Sequence, residues 1–221
     1  MHPTVEQHGF AIVPKVFGNG QKRELISALG SVNVAGRRGL MAHPIVNQLA
    51  HSAQLRDLIR AHLPAEPTAV RAIYFNKSSE TNWLVSWHQD LTIAVRQKIE
   101  LPGFGPWSTK GGIPHTQPPV EYLEQMLAVR IHLDDADESN GALKVLPGTQ
   151  NLGRLSAEQI QELRFQHEEY LCTAAAGDVM LMRPLLLHAS SRSTSDRPRR
   201  VLHIEYAGFE LPGGLKWNEA A

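Results

Sequence analysis

The chain has 221 residues, in which 22 basic and 22 acidic side chains cancel, and one cysteine, Cys172. That length is enough to bury one sizeable core, while the balance of charge argues against a nucleic-acid groove or an anionic membrane surface as partner. A lone cysteine excludes an internal disulfide and points to a reducing compartment, where its ordinary role is that of a small buried hydrophobe.

The first eight residues lack the basic region and long apolar run of a signal peptide, and no stretch approaches a membrane span. A cytoplasmic location is the expectation. Residues 9–13 predict a short strand. Residues 21–29 predict a helix with Leu25, Ile26 and Leu29 on one face and Gly30 as its stop. A second helix is expected over 53–63, capped by Ser52 and ended by Pro64, with Leu55, Leu58 and Ile59 on one side. His43, His51 and His62 read as surface or helix-end residues. Such helices would cover the outer face of a sheet.

Residues 68–76 predict a strand through Val70, Ile73, Tyr74 and Phe75, followed by a polar loop and a second strand over 83–95, interrupted where the metal motif sits. From Arg96 to Pro119 the density of Gly and Pro argues against regular structure. Structureless loops of that length are uncommon unless they act, so 96–119 is expected to be a lid carrying Trp107, His115 and Gln117 towards a substrate. Residues 125–133 form a strand with an apolar face of Val129, Ile131 and Leu133 and an opposite face of Ala128, Arg130 and His132. A buried Arg130 needs an anion, so it faces either water or a bound carboxylate. The acidic run from Asp134 to Glu138 lacks the ligand pattern of a calcium loop and reads as a solvated turn. A strand over 143–146, a helix opened by the capping-box pattern at Ser156, and a turn at Gly177-Asp178 lead to the apolar segment that holds His188.

The chemistry is concentrated in Ser86-Trp87-His88-Gln89-Asp90. On an extended strand, residues two apart face the same side, so His88 and Asp90 can aim a nitrogen and an oxygen at one point. His188 offers a third donor. Two histidines and one carboxylate, with the remaining positions open, make the facial triad of non-haem Fe(II) oxygenases. Downstream lie Ser190 and the run from Ser195 to Arg200, then Val201 to Tyr206, in which Arg199, Val201, His203 and Glu205 share one strand face.

These blocks, together with Phe75-Asn76-Lys77, Ser139 to Leu143, Leu146 to Thr149 and Gly177-Asp178-Val179, resemble the phytanoyl-CoA dioxygenase family of Fe(II)- and 2-oxoglutarate-dependent oxygenases. The resemblance runs from about Ala69 to Gly208; the first 65 residues or so carry no matching motif. It implies His88, Asp90 and His188 as metal ligands and catalytic residues, and Arg199, eleven residues past His188, as the grip on the far carboxylate of 2-oxoglutarate, with Arg197 or Arg200 as alternatives should the register slip. Ser190 and Arg130 are implied at the co-substrate site, and Ile73 is counted with them. Arg71, Trp83, Trp107, His115 and Gln117 are candidate substrate contacts, as is Asn82. A retained Asp90 argues against halogenation.

Short strands punctuated by Gly and Pro turns indicate a mainly β chain, and the resemblance implies the same architecture: a double-stranded β-helix of the jelly-roll or cupin kind, with flanking helices on the outer face of one sheet. One domain over 1–221 is expected, with 1–66 as helical and strand cover and 67–210 as the β-helix core. The expected activity is hydroxylation of a small molecule using Fe(II), 2-oxoglutarate and O2, with neither nucleic acid nor membrane as partner. Another cupin-type metalloenzyme, or a non-catalytic ligand-binding relative, is the alternative. Neither the substrate nor the oligomeric state is legible.

Overall fold

The computed structural model describes residues 2–30, 34–78 and 80–220. In chain order the strands are β1 (Phe10–Val13), β2 (Gly36–Arg37), β3 (Thr68–Lys77), β4 (Val85–His88), β5 (Ile93–Ala94), β6 (Trp107–Lys110), β7 (Ile113–Thr116), β8 (Met126–His132), β9 (Leu143–Val145), β10 (Tyr170–Cys172), β11 (Val179–Met182), β12 (His188–Ser190) and β13 (Arg199–Ala207). They form a large sheet in the order β1-β11-β8-β13-β3-β2, a smaller one in the order β10-β9-β12-β4, and a three-stranded ribbon β5-β7-β6. All the pairings in the first two sheets are antiparallel. This is the mainly β jelly roll that the strand spacing predicted.

Strand alternation gives the large sheet two unlike faces. Ala72 and Tyr74 of β3, Val129 and Ile131 of β8, and Leu202, Ile204 and Tyr206 of β13 share one hydrophobic cluster with Leu25, Leu29, Leu55 and Ile59 of the helices. The helices therefore cover the outer face, as expected. Two of them are Asn19–Leu29, which ends at Gly30, and Ala53–Ile59, where the Ser52 side chain accepts from the Leu55 N–H. The Tyr206 hydroxyl, buried with its ring, donates to the Ala50 carbonyl at 2.9 Å, which satisfies a polar atom that apolar packing would strand. A further helix, Pro44–Ala50, was not predicted; Pro44 at its first position is the signal that marks it.

Two expectations need correction. The interrupted strand foreseen over 83–95 does break at the metal motif, but its two parts, β4 and β5, belong to different sheets rather than to one strand. Residues 96–119 are not structureless: β6 and β7 make a hairpin joined by Gly111-Gly112, both with positive φ (57° and 79°). Two successive left-handed residues suit a tight two-residue hairpin turn, so here glycines that read as breakers are what closes the ladder. β7 also pairs with β5, which ties the hairpin to the chain just beyond Asp90.

Candidate active site

A cavity of about 550 Å³ lies between the inner faces of the two sheets. His88 ends β4 and His188 begins β12, and they are direct cross-strand partners. Their rings lie 4.2 Å apart between centroids. Asp90 follows two residues after the end of β4, where its N–H donates to the Pro184 carbonyl at 2.9 Å. The His88 Nε2 to Asp90 Oδ1 distance is 3.7 Å and that from His188 Nε2 to Asp90 Oδ2 is 3.6 Å.

The hydrogen bonds of the two imidazoles decide what these atoms can do. His88 Nδ1 donates to the Ser86 carbonyl and His188 Nδ1 to the Leu186 carbonyl, each at 2.9 Å. A carbonyl can only accept, so in the neutral rings both Nε2 atoms carry lone pairs. Burial pushes His188 down to about 4, against the pull of Asp90, which keeps that ring neutral near pH 7. Two lone pairs and a carboxylate turned on one another repel unless a cation sits among them. The donors, all within 4.8 Å of one another, thus fit a divalent metal with one anionic and two neutral ligands. Gln89, between the ligands, also lines the cavity. Its amide donates to the Gly153 and Leu185 carbonyls, both at 2.8 Å, and accepts from the Leu155 N–H at 2.9 Å, which clamps the motif to the neighbouring loops.

At one end of the cavity the cations are buried without acids. Arg199 is 3% exposed; its Nε donates to the Asn140 carbonyl at 3.2 Å and its Nη2 to Ser190 Oγ at 3.4 Å. Burial, then Arg130, pushes it down to about 9. Lys77 is fully buried, and its Nζ donates to Ser190 Oγ at 2.8 Å and to the Ser191 carbonyl at 2.6 Å. Burial, then Arg199, brings it down to about 7. Ser190 Oγ in turn donates to the Gly141 carbonyl at 2.8 Å, so Ser190, Lys77 and the carbonyls of Asn140, Gly141 and Ser191 form one network around Arg199. A Cβ on Gly141, at φ +74°, would lie 2.5 Å from the Ser191 carbonyl oxygen, which is why glycine is required there. A guanidinium this buried, with hydrogen bonds to neutral groups alone, fits a carboxylate from outside the chain. Arg197 and Arg200 are engaged elsewhere, with Asp137 and Asp134.

The middle and far end of the cavity hold Arg130, His203, Glu205 and Arg71. Arg130 Nη1 contacts His203 Nδ1 at 3.1 Å, while its Nε is buried without a partner. Glu205 lies 3.2 Å from Arg71 and 3.4 Å from His203. Ile73, Trp83 and Gln117 also line the cavity, with Arg38 and Lys110 at its rim. Trp107 and His115 do not line it; Trp107 packs on an apolar cluster and His115 Nδ1 donates to the Ile113 carbonyl. Asn82 clips Ser193 through both its amide groups. Arg38, Lys110 and Gln89 are cavity residues that sequence reasoning missed. For Gln89 the i+1 position between two ligands was a usable signal; for Arg38, just past β2, and Lys110, the last residue of β6, far apart along the chain, there was none.

The chain matches the phytanoyl-CoA dioxygenase (PhyH) family over residues 5–201. The match reaches back through the N-terminal cover, where no motif was legible. It is 26% identical over 179 residues to the "Probable alpha-ketoglutarate-dependent hypophosphite dioxygenase" of Stutzerimonas stutzeri, covering 75% of this chain and 54% of that relative. The chain thus spans about half the length of the curated relative it matches. Among solved structures it resembles AviO1 of Streptomyces viridochromogenes Tue57 (TM-score 0.68, 18% identity, covering 95% of this chain and 94% of that one). It also resembles HygX of Streptomyces hygroscopicus with nickel and 2-oxoglutarate bound (0.67, 16%, 92% and 83%). At such identities these structures speak for the fold. With the family match covering most of its length, the chain belongs to the phytanoyl-CoA dioxygenase family, whose members are Fe(II)- and 2-oxoglutarate-dependent oxygenases.

Proposed function

We propose that this protein is an Fe(II)- and 2-oxoglutarate-dependent dioxygenase that hydroxylates a small molecule. In the overall reaction R–H, O2 and 2-oxoglutarate give R–OH, succinate and CO2, with one oxygen atom entering the product alcohol and the other succinate. The observation that carries the reading is the pairing of two tautomer-locked histidines and Asp90 with a buried arginine that lacks an acid in the same cavity.

In this reading His88, Asp90 and His188 hold the iron, and Arg199 binds the distal carboxylate of 2-oxoglutarate through its planar donors. Ser190 and Lys77 fix the guanidinium, while Ile73 and Arg130 border the co-substrate. The bound metal and 2-oxo acid supply the oxidising chemistry; the protein orients them and excludes water. Residues 96–119 serve as a cover, which the positions of Lys110 and Gln117 on the cavity wall support. The whole chain acts as one oxygenase domain. A small substrate suits a cavity of about 550 Å³ that must also admit 2-oxoglutarate, and the Stutzerimonas stutzeri relative is named for a small oxyanion. We place the protein in the cytoplasm; Cys172, buried and pushed by that burial up to about 12, is an inert thiol suited to reducing surroundings. No helix among the described residues is long and apolar enough to cross a membrane.

The test is anaerobic addition of Fe(II) and 2-oxoglutarate. A visible metal-to-ligand charge-transfer band, absent in Asp90→Ala, followed in air by succinate, is the expected result. A protein that binds Zn(II) in a closed site and never develops the band would be another kind of cupin.

A further inference from the structure

The inference below rests on the oxygenase reading and adds its substrate class. Five cationic side chains line the cavity, namely Arg38, Arg71, Lys110, Arg130 and Arg199, against two acids, Asp90 and Glu205. The chain as a whole has no net charge, so this excess is local. A ferrous dication and a 2-oxoglutarate dianion would cancel each other, Asp90 would be spent on the metal and Arg199 on the co-substrate. Arg38, Arg71, Lys110 and Arg130 then remain, with Glu205 as their acid.

Three of these cations, Arg38, Arg71 and Lys110, do not belong to the co-substrate end, and Arg130, opposite His203, lies between the two ends. Lys77 lies opposite Arg199 in the register of β3 and β13, whereas Arg71 lies opposite Glu205. Six residues along β13 separate the two positions by about 20 Å. Arg71 comes from β3, Lys110 from the tip of the hairpin and Arg38 from the turn after β2, so three separate elements converge on one rim. Arg38 has no ion pair among the described residues, and Lys110 donates to the Thr92 hydroxyl at 3.2 Å. Arg130, 6% exposed, has a buried Nε without a partner and faces the same space. Lys110 is pushed down by burial and then by Arg71 and Arg38, each of which repels it. Gathering like charges at a cavity mouth costs stability unless an anion arrives to meet them.

We propose that Arg38, Arg71 and Lys110, with Arg130 behind them, form a second anion pole opposite the Arg199 end, and that the substrate is a small oxyanion, a carboxylate or a phosphorus oxyanion, bound by its charged end. Its reacting C–H or P–H bond would then lie inward, beside the triad.

The test is calorimetric titration of enzyme held anaerobically with Fe(II) and saturating 2-oxoglutarate, using acetate and methylphosphonate as probes and acetamide and dimethyl methylphosphonate as neutral counterparts. At least one anion should bind without displacing 2-oxoglutarate, and which one does so separates the planar from the tetrahedral class. The neutral pair should be silent. Arg38→Gln with Lys110→Gln should weaken the anion roughly tenfold or more, and added salt should weaken it too. Exchanging two exposed cations away from the cavity, Lys15→Gln with Arg23→Gln, should not. Glu205→Gln should tighten it, an outcome that a merely structural role does not produce. Equal binding of neutral and anionic probes, no anion binding with 2-oxoglutarate in place, or an Arg38/Lys110 double variant with unchanged affinity would each overturn the proposal. Because the charge-transfer band forms before any probe is added, its absence marks failure of the oxygenase reading, and its presence without an anion response marks failure of this one.

Discussion

The two faces of the large sheet are made by the same strands and follow opposite rules. Along β13, Leu202, Ile204 and Tyr206 point outward into an apolar cluster beneath the helices, while Arg199, His203 and Glu205 point inward among charges. The outer face excludes water and contributes stability through apolar area. The inner face buries arginines, a lysine and histidines, each of which costs free energy on its own. Folding energy is therefore gained on one side of a single layer and spent on the other.

That contrast can be broken, beginning with the largest expected effect. Asp90→Ala removes the one anionic donor of the triad. Succinate formation should fall to background and Fe(II) should no longer be retained, while the thermal transition of the metal-free protein stays near the parent. Next, Arg199→Ala should raise the 2-oxoglutarate requirement by about 100-fold or more, in line with the roughly 2–5 kcal/mol lost when one partner of a buried charge pair is truncated. Metal affinity should hardly change, and equal loss of both would contradict the assigned role. On the outer face, Leu202→Ala should cost about 2–5 kcal/mol in denaturant unfolding and leave the 2-oxoglutarate affinity of the folded protein unaltered. If it moved that affinity as much as Arg199→Ala does, the two faces would not be separable.

The smallest effect concerns pH. Lys77 is held near 7 in the fold, well below its ordinary value, so between about pH 7 and 10.5 the unfolded chain binds more protons than the native one. Stability of the protein without 2-oxoglutarate should rise with pH across that window. The rise should be shallower in Lys77→Met, where burial no longer penalises a charge. Equal slopes in urea unfolding at successive pH values would remove Lys77 from the account.

Legibility followed the same division. The outer face was readable because alternation of Leu, Ile and Val along β8 and β13 is a local pattern. The triad was readable because His88 and Asp90 are neighbours and the blocks around His188 keep family spacing. The hairpin of β6 and β7 was not, since Gly111 and Gly112 look like breakers until the chain on either side is seen to pair. The role of Lys77 was hidden for another reason: Ser190 and Ser191, its partners, lie more than a hundred residues away, and nothing local announces that a lysine at a strand end turns inward. The rim of Arg38, Arg71 and Lys110 is assembled from three distant places, just past β2, within β3 and at the end of β6, beyond the reach of any periodicity.

His88 and His188 face each other across adjacent strands although a hundred residues of chain lie between them. During synthesis, then, the first histidine and Asp90 emerge long before their companion exists, and a pair of donors holds a divalent ion weakly. In the proposed site, iron is therefore retained only once β12 has joined β4. A ribosome stalled short of residue 188 would release a chain unable to keep its metal.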